Sequence, residues 1–145
     1  MYGDKLLKNT GTGWLAILAD RYESGPFSTS VVDMKDAHGC IFTLIEAAGG
    51  TGTVVLTVEK CDSAGTTNTA IKFAYQVTTA GSTPGDVTEC ASTGYTTVAG
   101  ANKIVDIFVD AKELGSSRYC KLVLTEAVDA ACLAGVICKT IPANI

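Results

Sequence analysis

The stretch "KIVDIFVDAKELGSSRYCKLVLTE", residues 103–126, decides the fold class. Its first nine residues alternate. Val105, Ile107 and Val109 point one way, and Asp106, Phe108 and Asp110 the other. A period of two belongs to a strand with one face on a core, because successive side chains leave a strand on opposite sides. "AKELGSS" then turns the chain, with "AKELG" long enough for one helical turn. "RYCKLVLTE" (118–126) alternates again, placing Cys120, Leu122 and Leu124 on one face with Arg118 at its start. By this parity Cys120 is first a small apolar filler, second half of a disulfide and last a reactive thiol. Reactivity needs a positive, accessible setting. Arg118 is expected to pair with a carboxylate such as Asp33 or Asp110.

The same pattern extends outward in both directions. "CIFTLIEA" (40–47) and "TVVLTVEK" (53–60) flank "AGGTG" and read as a hairpin. "DSAGTTNT" (62–69) is a turn-rich loop, and "AIKFAYQV" (70–77) puts Ile71, Phe73, Tyr75 and Val77 on one face. "CLAGVICKTI" (132–141) closes the series, and "STSVVDMKD" (28–36) precedes it. The polar segment 78–97 is too long for an idle loop, so it holds either a short extra strand pair or a functional excursion. Short strands at regular spacing, rich in valine and threonine, predict an all-β protein. The expected architecture is an antiparallel sandwich or barrel-like domain of about seven to eight strands. "WLAILADRY" (14–22) reads as two helical turns or an extended arm. The expected organisation is an N-terminal arm over 1–25 and a β-sandwich over 26–145.

The totals narrow the function. The chain has 145 residues, 47% of them apolar and 18% charged, with a net charge of −4. The charged share is below the usual one of about 25%, which suits a subunit that hides surface by assembling. No lysine- or arginine-rich stripe is present, and phosphate contacts supply much of nucleic-acid affinity, so no nucleic-acid partner is expected. No run is long and apolar enough for a membrane span, so no membrane partner is expected either. Lys5 and Lys8 precede an apolar patch too short for a secretory signal. Synthesis in a cytoplasm is the expectation.

Candidate chemistry is sparse. His38 is the single histidine, and a catalytic role would pair it with Asp33, Asp36 or Cys40. A polar turn residue is the plainer reading. Asp106 and Asp110 would lie about 13 Å apart along one strand face, too far to share an ion. "GTG" (11–13) and "GGTG" (49–52) lack the lysine of a phosphate loop and read as hairpin turns. Of the six cysteines, Cys40 and Cys120 fall in apolar strands, Cys61 and Cys90 in polar loops suited to a disulfide, and Cys132 and Cys138 at the ends of the last strand. No catalytic, cofactor-binding or metal-binding residue is assigned, and the chain is not expected to be an enzyme. Trp14 and five tyrosines leave a glycan- or cell-surface-binding sandwich as the alternative.

Two longer patterns carry a resemblance. "FSTSVVDMKDAHGCIFTLIEAAGGTGTVVLTVEKCDSAG" places Val31, Val32 and Asp33 ahead of a turn and two apolar strands. "LGSSRYCKLVLTEAVDAACLAGVICKTIP" places Arg118, Tyr119, Leu122, Leu124 and Thr125 ahead of a small-residue loop and a closing strand. Over roughly residues 28 to 142 the chain resembles head decoration or cement proteins, minor capsid components of tailed bacteriophages. The resemblance implies a β-sandwich on the capsid exterior, trimeric, bound to the major capsid protein and gripping the shell with a terminal arm. The six cysteines and the 78–97 segment stand outside that pattern.

Overall fold

The computed structural model describes residues 12–20, 22, 25–100 and 102–143. Within them twelve strands form: β1 (Thr12–Asp20), β2 (Phe27–Ser28), β3 (Val32–Asp33), β4 (Ala37–Glu46), β5 (Thr53–Cys61), β6 (Thr69–Ile71), β7 (Phe73–Thr79), β8 (Thr88–Cys90), β9 (Tyr95–Thr96), β10 (Lys103–Asp110), β11 (Tyr119–Val128) and β12 (Leu133–Pro142). Seven of them have at least seven residues; the rest are two- or three-residue pieces. Two antiparallel sheets result, as a sandwich. Sheet A has the order β1-β12-β4-β10-β7-β8. Sheet B has β11 and β5 at its centre, with β2 and β3 along one edge and β6 and β9 along the other.

The core lies between the sheets. β4 sends Cys40, Phe42 and Leu44 inward, and β10 sends Val105, Ile107 and Val109. Sheet B answers with Val54, Leu56 and Val58 from β5 and Cys120, Leu122 and Leu124 from β11. Each fully buried Leu, Ile or Phe contributes about 1.5–3 kcal/mol. The parity expected for β10 and β11 is therefore the observed one.

Neighbour relations differ from expectation at one important place. β4 and β5 are not a hairpin: β4 pairs with β10 and β12, and β5 with β11, β6 and β9. They face each other across the core. The cause is the 47–52 connection, which crosses the end of the sandwich. Gly49 turns it at φ 81°, Gly50 bridges to Gly100, and the Thr51 amide donates to the Ala131 carbonyl at 3.0 Å. Any side chain at Gly52 would strike the Ala130 carbonyl. β10 and β11 likewise lie in opposite sheets, joined by a 3-10 turn over Ala111–Leu114 that the Asp110 side chain caps.

Other segments resolve locally. The 70–77 run breaks at exposed Lys72, so that β6 belongs to sheet B and β7 to sheet A. The 28–36 run becomes a split edge, with β2 and β3 both on β11. The 78–97 segment holds two short strands, but they pair with β7 and β5 and not with each other. Of the expected arm, residues 12–20 join sheet A as β1 at its edge, and residues 1–11 lie outside the described residues. Gly13 thus sits within a strand opposite Cys138, and not in a hairpin turn. The register of β1 slips twice, between Trp14 and Ala16 and between Ala16 and Ala19. Such irregularities blunt an edge that would otherwise template further pairing. Among the described residues no helix is long and apolar enough to cross a membrane.

Candidate interaction surface

The outer face of sheet A is built as a grid by register. One row runs Lys139, Ile41, Phe108, Ala74 across β12, β4, β10 and β7. The next runs Ile137, Thr43, Asp106, Gln76, and the third Gly135, Ile45, Ile104, Thr78. Five large apolar side chains therefore project from the side of the sheet that faces away from the core. A solvated face of an antiparallel sheet normally carries polar residues at such positions. Three polar residues, Thr43, Asp106 and Gln76, share the middle row, where they bond to one another or to the backbone. The Thr43 hydroxyl donates to Asp106 Oδ1 at 2.6 Å, and Gln76 Nε2 donates to the Gly85 carbonyl at 2.7 Å.

This face is concave. A groove of about 380 Å3 runs over Ile41, Phe108 and Ile137, with Asp106 and Gln76 on its floor and Val87 at its rim. A second, separate hollow of about 420 Å3 lies over Ile45 and Ile104 beside residues 79–82. Val87 is 69% exposed and Ile104 41%. The 78–97 segment supplies one wall: the Gly85 amide donates to the Val77 carbonyl at 2.9 Å, folding the loop back along β7. Charges gather at one end, where Lys112 pairs with Asp110 at 3.1 Å and Lys72 with Glu113 at 3.6 Å.

The residues singled out as candidate chemistry are dispersed. His38 is exposed near the start of β4, whereas Cys40 is fully buried in the core. Asp106 is spent on Thr43, and Asp110 on the backbone amide and ammonium of Lys112, which hold its carboxyl below the usual range. Among the described residues, no group of three or more His, Cys, Asp or Glu side chains could hold a metal ion. Trp14 lies in β1 opposite Ile137, and its side chain is outside the described residues. Tyr75 and Tyr95 stack with ring centroids 4.1 Å apart, packed against the core. Cys61 and Cys90 lie on strands of different sheets, no disulfide joins them, and burial raises both thiols.

Of the two carboxylates expected as partners of Arg118, Asp33 is the one that pairs with it and Asp110 is not. The guanidinium grips the carboxylate with two bonds, Nε to Oδ1 at 2.6 Å and Nη2 to Oδ2. β3 lies beside the start of β11, with Tyr119 opposite Asp33 and Cys120 opposite Val32, so the two motifs quoted above meet at one sheet edge. Hydrogen bonding from Arg118 is the main reason that the Asp33 carboxyl is lowered to about 2. The pair is exposed and fixes the edge more than it stabilises the fold.

A second unusual group, unforeseen in the sequence, is Glu46 at the inward-facing end of β4, only 4% exposed. Burial raises its carboxyl to about 7, against the opposing effects of Lys103 and of the Tyr22 phenol beside it. The alternation of β4 was the available signal, since Glu46 shares the parity of Cys40, Phe42 and Leu44.

No family model, curated protein or solved structure matches the chain. The fold and the surface define a class no narrower than a two-sheet antiparallel β-sandwich with an apolar, concave outer face.

Proposed function

We propose that the protein is a structural virion subunit that decorates or stabilises a tailed-phage capsid. It binds the major capsid protein as an oligomer, a trimer, on the exterior of the shell. The observation that carries the assembly part is the outer face of sheet A, where Ile41, Phe108 and Ile137 line one hollow and Ile45 and Ile104 a second. Water contact with such a surface is costly, and permanent interfaces are more apolar than ordinary surface. A closed ring of copies is a usual way to cover it. The capsid part rests on the resemblance of the two motifs joined by Arg118 and Asp33. The test is light scattering followed by co-sedimentation with empty phage heads. The expected result is three times the 15.0 kDa subunit mass and saturable binding to heads. A monomer that leaves heads unbound contradicts the reading.

A second reading has one observation in its favour. The groove floor sets Thr43, Asp106 and Gln76 beside the Phe108 ring, a polar row next to an aromatic face that suits a sugar. Binding on a glycan array that is lost in Gln76→Ala would select it over the first.

A further inference from the structure

Three thiols converge in the middle of the core. Cys40 lies on β4, between β12 and β10 in sheet A, and Cys120 lies on β11, a central strand of sheet B. Both are fully buried, and their sulfurs are 3.9 Å apart. Cys138 on β12 is the third thiol beside Cys40. Register separates the two possible partners of Cys40. On β12 the residue opposite Cys40 is Thr140, and Cys138 is opposite Phe42, so Cys138 is a diagonal neighbour. Diagonal neighbours on adjacent strands are about 7–8 Å apart, somewhat less between their Cβ atoms, which is still a poorer match to the Cβ separation of about 3.5–4.5 Å that a disulfide requires. Cys120 instead meets Cys40 head-on across the core, and the sulfurs need to close by about 2 Å to bond.

We propose that Cys40 and Cys120 form an inter-sheet disulfide when the chain folds in the presence of a small disulfide oxidant. The thiolate of one cysteine attacks the oxidant, releasing one thiol and leaving a mixed disulfide. The second cysteine attacks that intermediate and displaces the other thiol. Two protons and two electrons leave the protein, and one oxidant disulfide becomes two thiols. In the closed sandwich the neighbouring thiols and burial keep the Cys40 thiol far above its ordinary range, so it offers no thiolate for attack. The bond therefore forms before the sheets close, and once formed it lies out of reach of reductants. It ties together positions 80 residues apart and so restricts the unfolded chain strongly. Neither the assembly reading nor the glycan reading is needed for it.

The experiment is refolding with a mixture of oxidised and reduced glutathione, then alkylation, intact-mass measurement and peptide mapping. The expected product is lighter by two hydrogens, has two fewer alkylated cysteines than reduced protein, and links the Cys40 peptide to the Cys120 peptide. Its thermal midpoint is expected about 10 °C above that of the reduced form. Cys138→Ser keeps the link. Full alkylation of all six cysteines after this refolding, or a link from Cys40 to any other cysteine, overturns the proposal.

Discussion

The two outer faces of this sandwich are made from equally regular strands and end up with opposite characters. On sheet A, β4 and β10 place isoleucines and Phe108 outward, and among the described residues nothing covers the hollow over Ile41, Phe108 and Ile137. On sheet B, register places Lys121 opposite Glu59, Val123 opposite Thr57 and Thr125 opposite Val55. That face is more polar, and the chain covers its charged end. The Lys121 ammonium donates to the Gly65 carbonyl at 2.9 Å and lies 3.7 Å from Glu59, under the 62–68 loop. Asp62 holds the loop in shape by accepting from the Thr66 amide and hydroxyl. The end of face B that its own chain covers gains little from a partner. Face A, which the described residues leave uncovered and which has apolar residues at outward positions, is where a covering partner would gain most.

The largest expected effect separates the inside of sheet A from its outside. Phe42 and Phe108 lie on opposite sides of the sheet, Phe42 fully buried. In urea unfolding, Phe42→Ala is expected to cost about 3–5 kcal/mol, as a core truncation does. Phe108→Ala is expected to cost the separated subunit about 1 kcal/mol, because it removes only a half-buried ring. Equal costs would make Phe108 a folding residue and weaken the case for an assembly face. Next in size is Lys121→Ala, which leaves Glu59 without its cation and the Gly65 carbonyl without its donor. A loss of about 2 kcal/mol is expected, with oligomeric state unchanged. A change of oligomeric state would mean that face B also takes part in assembly.

A smaller effect concerns pH. The Glu46 carboxyl is raised from 4.5 to about 7, so between these values the folded chain holds a proton that the unfolded chain has released. Stability is therefore expected to fall as pH rises from about 4.5 to about 7, and to level off above. Glu46→Gln should flatten this slope and unfold at a higher temperature than the parent at pH 8. The smallest effect is at Asp33, whose carboxyl is lowered to about 2. Its contribution is present above the ordinary value of 3.8 and disappears as pH falls through about 2. Asp33→Asn should make acid unfolding less steep over that window and lower stability at neutral pH by the small amount that an exposed pair contributes.

How much of this was legible in the sequence follows from what periodicity encodes. Alternation assigns side chains to faces, so the inward sets of β10 and β11 could be read directly; the turn at 111–114 was legible as one helical turn, and Arg118 as a partner for Asp33 or Asp110 with the choice left to the fold. It does not say which strand lies beside which. For that reason β4 and β5 read as a hairpin, although the glycine-rich 47–52 connection carries the chain across to the other sheet. β1 was obscured because its apolar run fits an arm as well as a strand paired to β12. The open face was readable in part: "CIFTLIEA" and "CLAGVICKTI" are apolar at both parities, where a half-solvated strand alternates. That both runs lie side by side in sheet A depends on long-range pairing, which the local pattern does not contain.

The central claim is that the outer face of sheet A is a surface for assembly. Its most direct test is sedimentation velocity of three proteins at equal concentration: the parent chain, Phe108→Lys on face A and Thr57→Lys on face B. The parent and Thr57→Lys are expected to sediment as the same oligomer, and Phe108→Lys as a folded monomer. A monomeric parent, or a Phe108→Lys protein that assembles as fully as the parent, would contradict the account.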